Sequence, residues 1–313
     1  MAGKTEFMKY AYFNKEIVEF EKATVSIATH SLQYGTTCFG GIRGYYRNGK
    51  VAIFRLKDHY IRLMTASKML GYEYFMEWDE FKNIVTELVK KNDIKEDFYM
   101  RPFIFCKEPR ISPKKAGLDF ELAIYMLPLA DYVSTKGGLK LMSSTYRKYN
   151  DSSIPTKAKA GGSYVNSFLA TSDAQRNGYD DALMLDDAGN VVEVSVANIV
   201  LIYRDQVIIP DTGNAALEGI TVRSALELLE YNGYKVNRGK IDRSMVFTAD
   251  ELLVTGTAMK ITYAESLDKR PIGQLDFNAT PKPGKFYELL KGEYEKVING
   301  EHELSKKWLF IVE

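Results

Sequence analysis

Cysteine is scarce in this chain of 313 residues, with only Cys38 and Cys106 present. Two thiols exclude a disulfide framework and fit a reducing compartment. Histidine is nearly as scarce, at His30, His59 and His302, and no Cys/His spacing suits zinc, so no metal is expected. No stretch approaches the roughly 18 apolar residues of a membrane span. The opening MAGKTEFMKYAYF carries Lys and Glu where a signal peptide needs an unbroken apolar run. Nor does one sign of charge dominate: 42 Lys plus Arg meet 41 acidic residues, for a net charge of +1. That balance argues against nucleic acid or an anionic membrane as partner. The expectation is a cytoplasmic protein acting on small molecules, with any anion site built locally from a few groups.

What is present is ordinary globular composition, 45% hydrophobic and 27% charged, in a chain long enough for two domains. Tyr10 to Val18 reads as a hairpin turning at Asn14-Lys15. Leu56–Leu70 and Trp78–Lys91 carry helical apolar spacing, and Phe98–Cys106 and Phe120–Leu127 read as strands. Residues 1–127 are therefore expected as a small α+β domain with a mostly antiparallel sheet. Pro and paired Gly punctuate 128–138, read as a linker. Residues 139–313 are expected as a larger domain with a curved or barrel-like sheet, making the chain a two-domain α/β (α+β) fold. Its strands are placed at Ala182–Leu185, Asn198–Tyr203 and Gln206–Ile209, and its helices near Val165–Asn177, Thr221–Tyr231 and Gly284–Ile298. Asp186 to Asn190 signals a tight turn.

Several segments hold candidate chemistry. Lys157 and Lys159 precede Gly161-Gly162 and a helix start, although a lone lysine there is ordinarily solvated. Glu193 stands between valines in a β pattern, which an edge strand facing water also explains. Leu217-Glu218-Gly219-Ile220-Thr221 opens a helix whose amides and dipole suit a dianion, as any plain helix start does. Gly256-Thr257-Ala258 follows a strand. Tyr99 and Arg101 stand two apart on a strand and share a face. Tyr34, Phe39 and Arg43 cluster in one glycine-rich string.

In series these strings resemble the class IV (fold-type IV) aminotransferases of pyridoxal phosphate, and most closely the branched-chain amino acid aminotransferases. KAGGSYVNS from Lys159 is similar to the family's KAGGNY, YGTTCFGGIR from Tyr34 to its YGTSVFEGIR, and LEGIT from Leu217 to its LPGIT. Tyr99-Met100-Arg101 fits its Tyr-x-Arg pattern. The resemblance implies that Lys159 binds the cofactor covalently and that Tyr164 contacts the ring oxygen. Glu193 would keep the ring nitrogen protonated. Arg62, Leu217, Gly219, Ile220, Thr221, Gly256 and Thr257 would hold the phosphate region. Tyr34, Phe39, Arg43, Tyr99, Arg101, Thr257 and Ala258 would receive substrate, Arg43 and Arg101 supplying forked donors for a carboxylate. The implied reaction moves an amino group between Leu, Ile or Val and 2-oxoglutarate, in a homodimer or higher homo-oligomer.

Five positions depart from the pattern: Gly40 and Ala197 replace glutamates, Val194 and Val196 replace glycines, and Glu218 replaces a proline. They keep open a pyridoxal-phosphate-binding protein without turnover. A D-amino acid or (R)-amine transaminase and an aminodeoxychorismate lyase share the fold, and the Tyr99/Arg101 pair argues against the transaminase pair.

Overall fold

The computed structural model describes residues 5–129, 137–211 and 216–313. Most of the expected linker, 130–136, lies outside them. Internal contacts divide the chain into two compact units. One joins the described residues before 130 to Ala158–Ser163 and Val297–Glu313, and the other holds 137–157 and Tyr164–Lys296.

The first unit is built on an antiparallel sheet. Its strands run in the order Leu309–Val312, Lys50–Phe54, Ile42–Arg47, Phe98–Phe105, Glu121–Pro128, Tyr10–Phe13 and Glu16–Glu19, with Thr37–Phe39 also on Phe98–Phe105. The expected hairpin is there: Asn14 and Lys15 turn at φ 54° and 64°, the left-handed pair that matches strand twist. Alternation splits Phe98–Phe105 into two faces. Phe98, Met100 and Ile104 join the core with Phe81, Val85 and Leu88 from the helix Trp78–Lys91. Each such fully buried side chain contributes about 1.5–3 kcal/mol. Asp79 and Glu80 in that helix's first turn and Lys90 and Lys91 in its last suit its dipole. Tyr99, Arg101 and Phe103 point to the opposite face, and the first expected helix, observed as Leu56–Met69, carries Arg62.

Two assignments change. The tail, expected with the second domain, joins the first: Leu309–Val312 pairs antiparallel with Lys50–Phe54. Trp308 locks it there, its carbonyl accepting the Arg55 amide at 2.6 Å while its ring lies 3.9 Å from the Arg55 guanidinium. Lys159, also expected with the second domain, packs with the first as well. Phe39 N–H donates to its carbonyl, and Cys38 bridges Ala160.

The second unit holds a mixed, curled half-barrel sheet. Its order is Val191–Val194, Asp181–Leu185, Leu139–Arg147, Lys260–Leu267, Glu251–Gly256, Asn198–Tyr203, Gln206–Pro210 and Val236–Gly239. Asp181–Leu185 pairs in parallel with Leu139–Arg147 and antiparallel with Val191–Val194 across the turn at Gly189, φ 88°. Three helices, Tyr164–Arg176, Ile220–Tyr231 and Lys285–Ile298, fall where apolar spacing placed them. The last starts on Glu251, whose buried carboxylate accepts the Phe286 and Tyr287 amides at 2.9 Å each.

Candidate active site

In the first unit the motif strings converge on the ring of Phe39. The Arg101 guanidinium lies 4.5 Å from its centroid and the Lys159 ammonium 4.9 Å. Arg101 donates through Nε and Nη2 to the Tyr99 hydroxyl, at 3.2 and 2.9 Å. Burial pushes the Tyr99 phenol above its ordinary range, and the charge and hydrogen bonds of Arg101 oppose the shift. Tyr99 therefore accepts twice and keeps its own proton to donate. Arg62, held by His59 Nδ1 at 3.4 Å from Nη2, adds positive charge to the same phenol's surroundings. Arg43 sits across the ladder from Tyr99 but is buried, with Nη1 donating to the Leu129 carbonyl at 3.3 Å.

Glycine holds this group together by letting backbones meet. Gly35, at φ 64°, packs so closely on Gly162 that a Cβ would stand 2.6 Å from its Cα. A Cβ on Gly161 would collide with Thr37 Oγ1. The Gly162 amide donates to the Gly35 carbonyl at 3.0 Å. By sequence these glycines suit close approach to a planar ring. The structure uses them to seat the Tyr34–Phe39 string against the lysine segment, with Lys159 itself in left-handed backbone at φ 49°. His30, a lone histidine in the sequence, proves to brace that string. Its Nε2 donates to the Ser112 carbonyl at 2.9 Å, Nδ1 meets Thr36 Oγ1 at 2.8 Å, and its ring packs on half-exposed Tyr34. Gly40 also has a local reason. Its amide donates to the Pro102 carbonyl at 2.7 Å, and a Cβ would press on the Pro102 ring at 3.1 Å. Neither cysteine offers a thiolate: burial pushes Cys38 up to about 12 and raises Cys106 as well.

In the second unit the group forms around Glu193. This carboxylate is 4% exposed, its Oε1 lies 2.6 Å from Lys148 Nζ, and its Oε2 accepts from Asn198 Nδ2 at 3.0 Å. Asn198 also donates to the Leu217 carbonyl at 2.8 Å, just ahead of the helix Ile220–Tyr231. That helix begins at Gly219 without a side-chain cap, and a Cβ on Gly219 would collide with Asn198 Oδ1. Thr257 and Ala258 make the turn between Glu251–Gly256 and Lys260–Leu267. Gly256 sits close to buried Ala197: a Cβ on Gly256 would press on the Ala197 Cβ at 3.1 Å. Glu218 pairs with Lys157 at 3.2 Å just ahead of the helix Ile220–Tyr231, on the exposed side. Tyr164, half-buried, opens the helix Tyr164–Arg176. Lys148 and Asn198 are not singled out by the sequence. The signal was Glu193 itself, since an acid between buried valines needs a cation and a donor.

Among the described residues no three His, Cys, Asp or Glu side chains are grouped to hold a metal, and no helix is long and apolar enough to cross a membrane. Residues 37–267 match the family model described as amino-transferase class IV. A probable branched-chain-amino-acid aminotransferase of Aquifex aeolicus is 36% identical, over 98% of this chain and 97% of that protein. The branched-chain aminotransferase of Thermoproteus uzoniensis with norvaline superimposes with TM-score 0.92 at 31% identity, covering 98% of this chain and 100% of that one. The branched-chain amino acid aminotransferase of Thermobaculum terrenum, in its pyridoxal-phosphate form, gives 0.91 at 30% identity, covering 98% and 99%. Matched over most of its length by that family model and by these relatives, this chain belongs to the class IV aminotransferase family.

Proposed function

We propose that this chain is a pyridoxal-phosphate-dependent transaminase that moves the amino group between the branched-chain L-amino acids Leu, Ile and Val and 2-oxoglutarate. The observation that carries the reading is the Phe39–Tyr99–Arg101 group. It places an apolar wall beside a phenol and a forked cation, as a site that takes both an aliphatic side chain and a second carboxylate requires. Near-full-length likeness to branched-chain enzymes supports it. A homodimer or higher homo-oligomer in the cytoplasm completes the reading.

The residues fit the cofactor. The uncapped start of Ile220–Tyr231 would present amides and a dipole to a phosphate dianion, and Gly219 leaves room for the Asn198 amide beside it. Glu193, buried and held by Lys148 and Asn198, is an acid of the kind a protonated ring nitrogen pairs with. When bound, the cofactor supplies an electron sink for the pair left as the substrate's Cα–H bond breaks.

Each residue then has a task. Lys159 would hold the cofactor covalently and, as a free amine, would carry the proton taken from the substrate's Cα. Glu193 keeps the proton on the ring nitrogen, and Tyr164 donates to the ring oxygen. Arg62, Thr257 and the amides of Gly219, Ile220 and Thr221 hold the phosphate, with Leu217 and Gly256 shaping the two turns. Tyr34, Phe39 and Tyr99 wall the side chain. Arg101, with Arg43 behind Tyr99, draws the distal carboxylate of the oxo acid, and the Thr257-Ala258 turn takes the α-carboxylate.

Visible spectra of purified protein test the whole. Added leucine or glutamate should change the spectrum, whereas D-alanine and (R)-phenylethylamine should leave it unaltered. Borohydride should fix the cofactor to Lys159. A colourless protein, or a label mapped to Lys157, sinks the reading.

A further inference from the structure

The company of Glu193 follows from strand register. Glu193 stands opposite Met184, after a shift in register between Val191 and Glu193 that re-aims the side chain. On the other side of that strand Arg147 stands opposite Leu185, and the Lys148 amide donates to the Leu185 carbonyl at 2.8 Å. The ladder thus delivers the Lys148 ammonium to Glu193, with both side chains almost wholly buried. Asn198 reaches the same carboxylate from its other oxygen and holds the Leu217 carbonyl with the same amide nitrogen.

Stability alone is a poor reason for such a pair, because desolvation offsets most of the attraction. Its chemical effect is directional: a cation and a donor beside a carboxylate favour the ionised form. Other charged groups nearby are engaged elsewhere. Asp181 accepts from the Thr171 hydroxyl and the Ala182 amide, and Glu218 pairs with Lys157.

Resting on the transaminase reading above, we infer that Lys148 and Asn198 are positioning residues that hold Glu193 as a carboxylate in one orientation. The proton that Glu193 shares with the ring nitrogen therefore stays on the nitrogen. Asn198 also ties this acid to the turn before Ile220–Tyr231, so one side chain sets both the ring contact and the phosphate-binding amides.

Four holoenzymes test this: wild type, Lys148→Met, Lys148→Arg and Asn198→Ala. For each, kcat and KM for leucine, the dissociation constant for pyridoxal phosphate and the pH midpoint of the visible spectrum are measured. Lys148→Met should lower kcat by roughly tenfold or more with little change in KM. Its midpoint should rise by about one pH unit or more, because a ring nitrogen without its proton draws less charge from the bond to Lys159. Lys148→Arg should restore both. Asn198→Ala should move both in the same direction by less, and weaken cofactor binding about tenfold. A Lys148→Met protein that melts earlier yet keeps wild-type kcat and midpoint overturns the inference, because the pair is then structural only. Lys148→Arg behaving like Lys148→Met overturns it too. If Lys148→Met does not fold, Asn198→Ala decides, and wild-type values there overturn the inference. A wild type that binds no pyridoxal phosphate fails the transaminase reading itself, which separates the two failures.

Discussion

The two groups of site residues solve opposite electrostatic problems. In the first unit, Lys159 and Arg101 bring two cations to one aromatic ring in half-buried surroundings, with the Tyr99 phenol held on the guanidinium. In the second, Glu193 and Lys148 neutralise one another beside buried valines, with Asn198 as third partner. Quadrupole and hydrogen-bond contacts, rather than a direct ion pair, hold the Arg101 guanidinium of the first group. Direct pairing commits the second group's charges to one geometry. On the proposed roles, the difference teaches where adaptability is tolerable: a group that would meet alternate substrates is held loosely, and one that would fix a proton is closed.

The sharpest break in that comparison is Lys159→Ala. Transamination should fall by at least about a thousandfold, while the folded structure survives, as circular dichroism and steady-state rates together would report. Next is Glu193→Gln. It should bind pyridoxal phosphate yet turn over roughly a hundredfold more slowly. The apoprotein should lose about 3–5 kcal/mol in urea unfolding, as Lys148 loses its counter-charge. Wild-type turnover in that variant would remove Glu193 from the ring.

Arg101→Leu probes the open group. The Michaelis constant for 2-oxoglutarate should rise roughly ten- to hundredfold, equivalent to about 1.5–3 kcal/mol for a charge-assisted contact. Leucine should respond much less, having no second carboxylate, and equal losses for both would make Arg101 structural. Arg43→Leu should matter less for 2-oxoglutarate, because that guanidinium already serves the Leu129 carbonyl.

The smallest effect concerns Glu251, a closed carboxylate held by backbone amides. Burial, above all, raises it over the ordinary carboxylate value, while the Phe286 and Tyr287 amides pull the other way. A raised acid contributes stability that is fully present below its unfolded value, about 4.3, and is lost as pH rises through its folded value. The melting temperature of wild type relative to Glu251→Gln should therefore fall as pH climbs out of the acid range. A difference that is flat with pH would mean Glu251 titrates alike in folded and unfolded chains.

Much of this was legible in local pattern. The Asn14-Lys15 turn, the helices Leu56–Met69 and Trp78–Lys91, and the Asp186–Asn190 turn follow from neighbours within a few residues. Tyr99 and Arg101 share a face by strand period alone, and the structure adds their hydrogen bonds. Thr37–Phe39 escapes, because a three-residue strand inside a glycine-rich string carries no periodicity. The tail Leu309–Val312 escapes for a different reason: its partner Lys50–Phe54 lies some 250 residues earlier, beyond any local signal.

Residue identity by itself therefore determined the family resemblance, the longer helices and strands and the short-range pairs, since those depend on spacing along the chain. Tertiary structure alone decided that Lys148 belongs to Glu193, that Glu251 caps a helix 35 residues on, and that Gly35 meets Gly162. Each of those contacts joins backbone stretches whose meeting is set by strand register and close packing. A buried charge or a glycine announces in the sequence that it needs a partner, but only the folded ladder says which one.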